Sequence, residues 1–323
     1  MSMGRPKVLV THPEVPLTAI NLLKESCDVT VCEGLPAPTR EEILTKSKGM
    51  DGILWATHCK LDAEALDAAG PQLRSISSKS AGIDYIDVVE VKRRGIPLGH
   101  TPGVLSNAVA DLAVGLMIAA SRRFTEARRI LDTCDWNVDS PRWMLGQDIQ
   151  GSTVGIVGFG GIGQAIVKRL KGFEVGEFLY TGHSPKEDGE KLGATFVTFD
   201  ALLKRSDFVV VSCPLNHETN GMFDAVAFSK MKSTAIFVNV ARGDIVHQEA
   251  LVDALVNKRI YAAGLDVMSP EPLPIDNILL KLENVVLIPH LGSATIKTRE
   301  SMANLAAQNV LKGLAGEKMI CPV

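Results

Sequence analysis

The chain has 323 residues, which is enough for about two domains that each bury a hydrophobic core. Hydrophobic residues amount to 46% and charged residues to 22%, a composition that is typical of globular proteins and argues against a disordered or fibrous chain. The net charge of −3 gives the molecule no overall attraction to nucleic acid or to anionic membranes, so we expect neither as a partner.

The N-terminus lacks the apolar region of a signal peptide, and the most apolar stretch, Ala108 to Ala120, is shorter than the ~20 residues that span a bilayer. The six cysteines are scattered and include no C-x-x-C pair, which favours reduced thiols and gives no metal-binding pattern. These features predict a cytoplasmic protein without a metal site.

The first hundred residues alternate short β-type runs with helical patterns. The predicted strands are Val8–Thr11, Asp28–Val31, Gly52–Trp55 and Arg74–Ser77, and the predicted helices are Leu17–Ser26, Arg40–Lys46 and Ala63–Ala69. Strands and helices that alternate at this interval are typical of a parallel sheet covered by helices.

The next pattern, from Ser106 to Arg123, is a helix that is apolar almost all round. Such a helix is buried on several sides, which places it at a domain or subunit junction. Trp136 and Trp143 follow it in a predicted loop. Since a monomer rarely leaves so many large apolar groups exposed, we expect a homodimer that pairs through this region.

A second series of strands and helices begins near Ser152 and is more apolar than the first. Its predicted strands are Thr153–Val157, Glu177–Tyr180, Phe208–Val211, Ala235–Val238, Ala263–Asp266 and Val285–Ile288. Near-continuous Val and Ile runs belong to strands that are buried on both faces, as in doubly wound sheets. We expect the last helix, Thr298–Leu314, to return the chain to the first domain.

The two series predict an α/β protein with two doubly wound parallel-sheet domains. Because Gly158, Gly160 and Gly163 form a glycine-rich turn after the first strand of the second series, we expect a Rossmann dinucleotide-binding domain there, a flavodoxin-like substrate domain in the first series and a cleft between them. The expected substrate domain is discontinuous and comprises residues 1–102 and 291–323, and the dinucleotide-binding domain comprises residues 103–290.

A glycine-rich turn follows the first strand of the second series, where Gly158, Gly160 and Gly163 form G-x-G-x-x-G before a helical pattern. In such a motif the first glycine makes the tight turn, the second admits a pyrophosphate, and the third lets the helix pack closely on the sheet. A glycine-rich connector without a ligand is the alternative. The order of strand, turn and helix favours dinucleotide binding.

The next strand ends where NAD-binding domains usually carry a carboxylate for the ribose hydroxyls. Here no carboxylate occurs between Tyr180 and Glu187, and His183, Ser184 and Lys186 can donate hydrogen bonds or positive charge to a 2′-phosphate. The segment therefore predicts a preference for NADPH. A polar loop that also accepts NADH is the alternative.

Three polar residues follow three later strands of the series. Arg242, Glu271 and His290 lie at carboxyl strand ends, where open α/β sheets bind ligands. A guanidinium binds the anion of a keto acid, an imidazole donates a proton to the ketone oxygen, and a carboxylate supports the imidazole. Each residue alone could be structural, as in a salt-bridged turn at Arg242, but the set predicts chemistry on a keto acid.

Four motifs occur in order along the chain. They are Gly158-x-Gly160-x-x-Gly163, Asn239-Val240-Ala241-Arg242-Gly243-Asp244, Gly264-Leu265-Asp266-Val267-x-x-x-Glu271-Pro272 and Pro289-His290-x-Gly292-Ser293-Ala294. Together they resemble the D-isomer-specific 2-hydroxyacid dehydrogenases over nearly the whole chain, and Ser80–Asp84 resembles the substrate loop of that family. Within the family, Leu179–Gly182 and Ser269–Pro274 are most similar to glyoxylate/hydroxypyruvate reductases. Gly161 and His183 depart from the pattern, because relatives often carry Arg at these positions.

The resemblance implies NAD(P)H-dependent reduction of glyoxylate or hydroxypyruvate to glycolate or D-glycerate. It implies that Arg242 binds the substrate, that Glu271 supports the histidine and that His290 donates the proton. The backbone amides of Ala81 and Gly82 would hold the substrate carboxylate. Further candidates are Ser293 for the substrate and Gly161, Ile162, Pro214, Val240, Asp266 and Gly292 for the cofactor.

Two other functions remain as alternatives. Phosphoglycerate dehydrogenases belong to the same family, but they usually carry an acidic residue that selects NAD and often an additional C-terminal domain. Dinucleotide-sensing corepressors share the fold and much of the site without being enzymes, but they carry disordered extensions. We expect none of these features here, so a keto-acid reductase is the favoured interpretation.

Overall fold

The structure is a computed structural model that describes residues 4–136 and 140–323. The strands are β1 (Lys7–Val10), β2 (Asp28–Val31), β3 (Gly52–Trp55), β4 (Ser75–Ser78), β5 (Leu98–Gly99), β6 (Thr153–Val157), β7 (Glu177–Thr181), β8 (Ala194–Phe196), β9 (Phe208–Val211), β10 (Ile236–Asn239), β11 (Ala262–Leu265) and β12 (Val285–Leu287). The helices are α1 (Leu17–Lys24), α2 (Arg40–Ser47), α3 (Ala63–Ala69), α4 (Val88–Arg93), α5 (Ser106–Ser121), α6 (Phe124–Thr133), α7 (Gly161–Leu170), α8 (Glu187–Leu192), α9 (Phe199–Arg205), α10 (Ala225–Lys230), α11 (Gln248–Val256) and α12 (Ile296–Leu314).

The chain divides into two compact units, Met1–Leu105 with Ser293–Val323, and Ser106–Gly292. The expected boundaries, 1–102 plus 291–323 and 103–290, differ from these units by a few residues. Leu291 and Gly292 remain with the second unit because their backbone N–H groups donate to the carboxylate of Asp266, at 2.5 and 2.9 Å.

The first unit contains a parallel sheet with the strand order β2-β1-β3-β4-β5. Successive side chains of its strands enter two separate cores, since neighbouring residues of a strand point to opposite faces. Leu9 and Ile53 pack with α2 and α3 on one face. Val8, Val10 and Leu54 pack with α1 and α12 on the other face. The sheet is therefore covered on both faces, with the strand order of flavodoxin-like folds.

The second unit contains a parallel sheet with the order β12-β11-β10-β9-β6-β7-β8. Apart from the additional edge strand β12, this is the order of dinucleotide-binding domains, in which the first strand, here β6, lies at the point where the order reverses. The strands β9 and β10 are fully buried, which accounts for their continuous apolar sequence. The two sheets confirm the predicted fold class.

Helix α5 is the helix that the sequence predicted to be apolar all round. It packs against α7 and against β10, β11 and β12 of its own unit, and nine of its residues are buried there. Close approach is achieved through Gly264 of β11, where an added Cβ would lie 3.0 Å from the Leu116 Cβ. The apolar character of α5 therefore serves the core of the second unit.

The sequence analysis gave no individual prediction for α4, β5, α6, β8 or the helices α8 to α11. Strands β5 and β8 have two and three residues, too few for an alternation to be visible. The other boundaries differ from expectation by one or two residues, as at β10 and α12. Within the described residues, no helix is both long and apolar enough to cross a membrane.

Candidate active site

The glycine-rich turn has the geometry that its sequence predicts. Gly158 has φ +92°, donates its N–H to the carbonyl of Thr181 at 3.0 Å, and would place a Cβ 2.5 Å from the backbone of Cys213. A Cβ on Gly163 would lie 2.4 Å from the Gly158 carbonyl oxygen. By contrast, a Cβ on Gly160 would meet no atom of the described residues within 4 Å. Two of the glycines are thus required by the protein itself, and Gly160 borders open space.

Helix α7 begins at Gly161, and the first N–H groups of any helix have no intrahelical acceptor. Ile162 is half-buried in the same turn. An added Cβ at Gly161 would lie 2.8 Å from the Ser106 hydroxyl, at the start of α5. A long side chain here would have to displace Ser106. This close contact explains why the position is occupied by glycine. The turn and the helix N-terminus together fit a dinucleotide pyrophosphate.

The loop after β7 is held by Tyr180, a buried side chain whose hydroxyl accepts the backbone N–H of Lys186 at 2.7 Å. The polar side chains of His183, Ser184 and Lys186 are exposed and thus accessible to a ligand. The Nδ1 atom of His183 lies 3.6 Å from the carboxylate of Glu218. Sequence analysis missed Glu218, which lies in the loop after β9. Since β7 and β9 flank β6 in the sheet, their loops lie on either side of the glycine turn.

The turn after β10 fixes the position of Arg242. Buried Asn239 accepts the N–H of Ala241 through Oδ1 at 3.0 Å and donates from Nδ2 to the carbonyl of Arg242 at 2.8 Å. Gly243 follows directly, and a Cβ there would lie 2.1 Å from the carbonyl of Met268. The turns that follow β10 and β11 therefore touch, and only glycine allows this approach. Arg242 itself is half-buried and begins a short 3₁₀ turn.

Glu271 and His290 form a direct pair. Nδ1 of His290 lies 2.8 Å from Oε2 of Glu271, and each side chain is 33% exposed. The other carboxylate oxygen, Oε1, accepts the backbone N–H of Met268 at 3.0 Å. Because an ionised carboxylate can only accept, Nδ1 carries the hydrogen of this bond.

Asp266 organises the backbone that carries His290. It is 1% exposed, its carbonyl accepts the N–H of His290 at 2.8 Å, and its carboxylate accepts the next two backbone N–H groups. Burial raises the pKa of the Asp266 carboxyl above its ordinary value, and the two backbone donors and the nearby His290 oppose this rise. A Cβ on Gly292 would lie 2.9 Å from this carboxylate. Asp266 and Gly292, which were expected to bind cofactor, therefore also shape the histidine turn.

The remaining candidates in the second unit follow the expected strands. Pro214 is exposed in the loop after β9, and Val240 is buried directly after β10. The strands β12, β11, β10 and β9 are neighbours in one parallel sheet. The segments that follow them therefore all lie at the carboxyl end of that sheet. In the described residues there is no cluster of His, Cys, Asp and Glu side chains that could hold a metal ion.

In the first unit, the candidate substrate loop follows β4. The carbonyl of Ala81 accepts a hydrogen bond from Nδ1 of His100 at 3.0 Å. The backbone N–H groups of Ala81 and Gly82 donate to no residue within 4–136 or 140–323. Both residues are half-buried, so these amides can serve a ligand. Ser293, at the start of the second segment of this unit, accepts the N–H of Thr295 through its carbonyl.

Comparison with known proteins gives consistent results. Residues 114–292 match the family model described as D-isomer specific 2-hydroxyacid dehydrogenase, NAD binding domain. The chain is 47% identical over 317 residues to a glyoxylate reductase/hydroxypyruvate reductase from Mus musculus, which covers 97% of this chain and 96% of that protein. It is 44% identical over 319 residues to a glyoxylate reductase from Thermofilum pendens, with 98% and 93% covered.

A solved structure is also similar. It is an NADPH-dependent glyoxylate/hydroxypyruvate reductase from Sinorhizobium meliloti in complex with NADP and malonate. The similarity has a TM-score of 0.84 at 31% identity and covers 99% of this chain and 97% of that chain.

Proposed function

Because the chain belongs to the D-isomer-specific 2-hydroxyacid dehydrogenase family, we propose that it reduces glyoxylate to glycolate and hydroxypyruvate to D-glycerate. A bound nicotinamide cofactor supplies the hydride for this reaction. The observation that carries the proposal is the His290–Glu271 pair, with Nδ1 and Oε2 2.8 Å apart at a carboxyl edge of the dinucleotide-binding sheet. The relatives named glyoxylate reductase or hydroxypyruvate reductase support the choice of substrate.

His290 is the proton donor in this proposal. Glu271 binds Nδ1–H, so Nε2–H is the hydrogen that moves to the substrate ketone oxygen as the hydroxyl forms. Positioning of the ring contributes as well, because the acid must lie within hydrogen-bond reach of the oxygen. Glu271 acts through His290 and is a positioning residue.

Arg242 and the loop of Ala81 and Gly82 bind the anionic substrate in this proposal. The guanidinium of Arg242 makes charge-assisted hydrogen bonds to the keto acid, and its turn is fixed by Asn239. The free amides of Ala81 and Gly82 donate to the carboxylate. Ser293 is a further proposed substrate contact.

The test of this function is turnover of the purified protein. We expect oxidation of NADPH in the presence of glyoxylate or hydroxypyruvate, and we expect His290→Asn to lower kcat by about 10²- to 10⁴-fold, the usual contribution of a general acid. The variant should bind NADPH as the wild type does, measured by quenching of protein fluorescence. The function is wrong if the wild type reduces neither keto acid with either cofactor.

The proposed cofactor is NADPH, with NADH also accepted. His183, Ser184 and Lys186 support NADPH because they can donate to a 2′-phosphate, and no carboxylate occupies the end of β7. Glu218 works against strict selection, because its carboxylate lies beside His183 and repels a phosphate. We therefore expect a moderate preference. Dinucleotide contacts at Gly161, Ile162, Pro214, Val240 and other motif residues belong to the same proposal.

Replacing Glu218 by Gln tests this balance. Removal of one exposed negative charge should tighten NADPH binding by about twofold to fivefold and leave NADH unchanged, since exposed charge pairs contribute about 0.2–1 kcal/mol. Dissociation constants for both cofactors are measured by titration calorimetry. Glu249→Gln, which removes an exposed carboxylate from α11, is the matched control. Equal wild-type constants for NADPH and NADH, unaltered in Glu218→Gln, would refute the preference.

A homodimer is also part of the proposal. Its support in the structure lies in α6 and the segment after it, where Phe124, Leu131 and Trp136 are more than half exposed. Helix α5, on which the expectation rested together with Trp136 and Trp143, is buried within its own unit.

A further inference from the structure

Lys79 is a half-buried cation whose role the reaction does not explain. It directly follows β4, and its backbone N–H donates to the carbonyl of Trp55 at 2.8 Å, which fixes its place at the carboxyl end of the sheet. Its ammonium group makes no ion pair or hydrogen bond with any residue in the described ranges. Because burial of an unpaired charge costs free energy, such a group in a binding region indicates an anionic ligand.

A second cation, Arg299, lies at the same end of this unit. Helix α12 runs antiparallel to β4: Ser75 Oγ donates to the carbonyl of Val310 at 2.9 Å, and Asn309 Nδ2 donates to Ser77 Oγ at 3.4 Å. From Val310 back to Arg299 is about 16 Å along the helix axis, and from Ser75 to Lys79 is about 13 Å along the strand. The first turn of α12 therefore brings Arg299 to the level of Lys79.

The electrostatics agree with this placement. Burial, and then the positive charge of Arg299, lower the pKa of Lys79 from its ordinary value of 10.5 to about 8. Arg299 is the charged group whose field acts on Lys79, from the helix that packs against β4. Lys79 is thus mostly charged at pH 7 and becomes neutral as the pH rises through about 8. An anion beside both cations would remove their mutual repulsion.

We infer that Lys79, supported by Arg299, forms a subsite for a second anionic group on the substrate. This inference rests on the proposed function, in which the amides of Ala81 and Gly82 hold the first carboxylate. Lys79 precedes Ala81 by two residues, so their Cα atoms are at most about 7 Å apart. The substrate class is therefore a short 2-keto acid with a carboxylate or phosphate at its far end. Hydroxypyruvate and glyoxylate are accepted without using this subsite.

The experiment compares keto acids that differ in the second charge. Oxaloacetate is paired with 2-ketobutyrate, and 3-phosphohydroxypyruvate with hydroxypyruvate, so that the two pairs distinguish a carboxylate from a phosphate. The variants are Lys79→Met, which is similar in shape but neutral, and Lys79→Arg, which keeps the charge. Lys92→Met is the matched control, because Lys92 is an exposed lysine of the same unit, in the last turn of α4.

In Lys79→Met we expect kcat/KM to fall by about 10- to 100-fold for either oxaloacetate or 3-phosphohydroxypyruvate, whichever the subsite binds. This is the effect of one charge-assisted hydrogen bond. Its neutral counterpart should change by less than about twofold. Lys79→Arg should retain most of the discrimination, and Lys92→Met all of it. Equal effects of Lys79→Met on charged and neutral substrates, or none on either, would overturn the subsite. Failure of the wild type to reduce either glyoxylate or hydroxypyruvate would instead overturn the proposed function.

A measurement on the wild type makes the test independent of any variant. The ratio of kcat/KM for oxaloacetate to that for 2-ketobutyrate should fall as the pH rises from 7 to 9, because Lys79 loses its proton through about 8 while both carboxylates of oxaloacetate stay ionised. The steps shared by the two substrates cancel in this ratio. A ratio that is constant over this range contradicts a charged Lys79 in the subsite.

Discussion

His290 has a backbone conformation that few histidines adopt. Its φ is +54°, in the left-handed region, where a residue with a side chain is uncommon. The surrounding hydrogen bonds hold it there: the N–H of His290 donates to the Asp266 carbonyl, and the N–H groups of Leu291 and Gly292 donate to the Asp266 carboxylate. Such strain persists only where the neighbouring structure enforces it. The direction of the imidazole ring is therefore determined by Asp266 from the backbone and by Glu271 from the side chain.

Glu271→Gln separates positioning from binding. The amide retains the shape of the carboxylate but loses the charge of the bond to Nδ1, so kcat should fall by about 10- to 100-fold, the effect of a charge-assisted hydrogen bond. The KM for hydroxypyruvate and the Kd for NADPH should change by less than about twofold. Steady-state kinetics and a thermal melt measure these quantities. If kcat, KM and Tm all change together, Glu271 has only a structural role.

At the scale of the element, the three glycines of the turn after β6 have different reasons to be glycine. Gly158 and Gly163 are restricted by the protein, whose backbone atoms lie within 2.5 Å of their added Cβ positions. At Gly160, no atom in the part of the chain that the structure describes lies within 4 Å of an added Cβ. A sequence motif does not distinguish these cases, but the structure does. Substitutions at the three glycines should therefore have different effects on folding and on dinucleotide binding.

Alanine substitutions provide the comparison. Gly160→Ala should leave the free energy of unfolding within about 0.5 kcal/mol and weaken dinucleotide binding by roughly tenfold or more, because its Cβ enters the path of the pyrophosphate. Gly163→Ala should destabilise the fold by about 1–3 kcal/mol through overpacking against the Gly158 carbonyl.

Urea unfolding and cofactor titration measure the two effects of these substitutions. Gly172→Ala is the control, since a Cβ at this exposed site after α7 meets no atom within 4 Å and neither quantity should change. If Gly160→Ala unfolds as readily as Gly163→Ala, the open space beside Gly160 is not what explains that glycine.

The elements that the sequence predicts are those with a long apolar period. The buried strands β6, β9 and β10 have runs of Val, Ile and Phe, and such runs indicate a strand without any knowledge of the strands beside it. Strand β5 could not be predicted in this way, because it consists only of Leu98 and Gly99. Helix α6 was not predicted either, although its sequence is amphipathic, because none of its residues belongs to a core.

Site residues follow a similar rule. Arg242, Glu271 and His290 were predicted because each follows a strand of one sheet, and the structure places Glu271 against His290. Glu218 and Lys79 were missed, because their significance depends on strand order and on burial. Glu218 is 35 positions beyond His183 in the sequence and meets it only because β7 and β9 flank β6. No local pattern encodes such a contact.

At the scale of the whole molecule, only part of the apolar surface lies where the sequence indicated, since Trp136 is exposed but the apolar helix is not. Helix α5 is buried within the second unit. Helix α6 is amphipathic yet has no buried residue, and Arg129 and Thr125 anchor it through bonds to the carbonyls of Lys281, Leu280 and Val285. Its apolar residues thus remain exposed on an ordered helix. Several large apolar residues exposed close together in sequence are typical of a protein interface.

We expect a dimer of twice 34.7 kDa at micromolar concentration, as measured by sedimentation equilibrium. The double variant Leu131→Glu with Trp136→Ser should sediment as a monomer. It places a charge at Leu131, which is 53% exposed in the single chain, and removes the ring of Trp136, which is 62% exposed. Val226→Glu on α10, which is 58% exposed, is the control and should remain dimeric. Each variant should keep the wild-type circular dichroism spectrum, because exposed positions contribute little to folding. A wild type that sediments as a monomer would rule out the dimer, and a double variant that stays dimeric would place the interface away from α6.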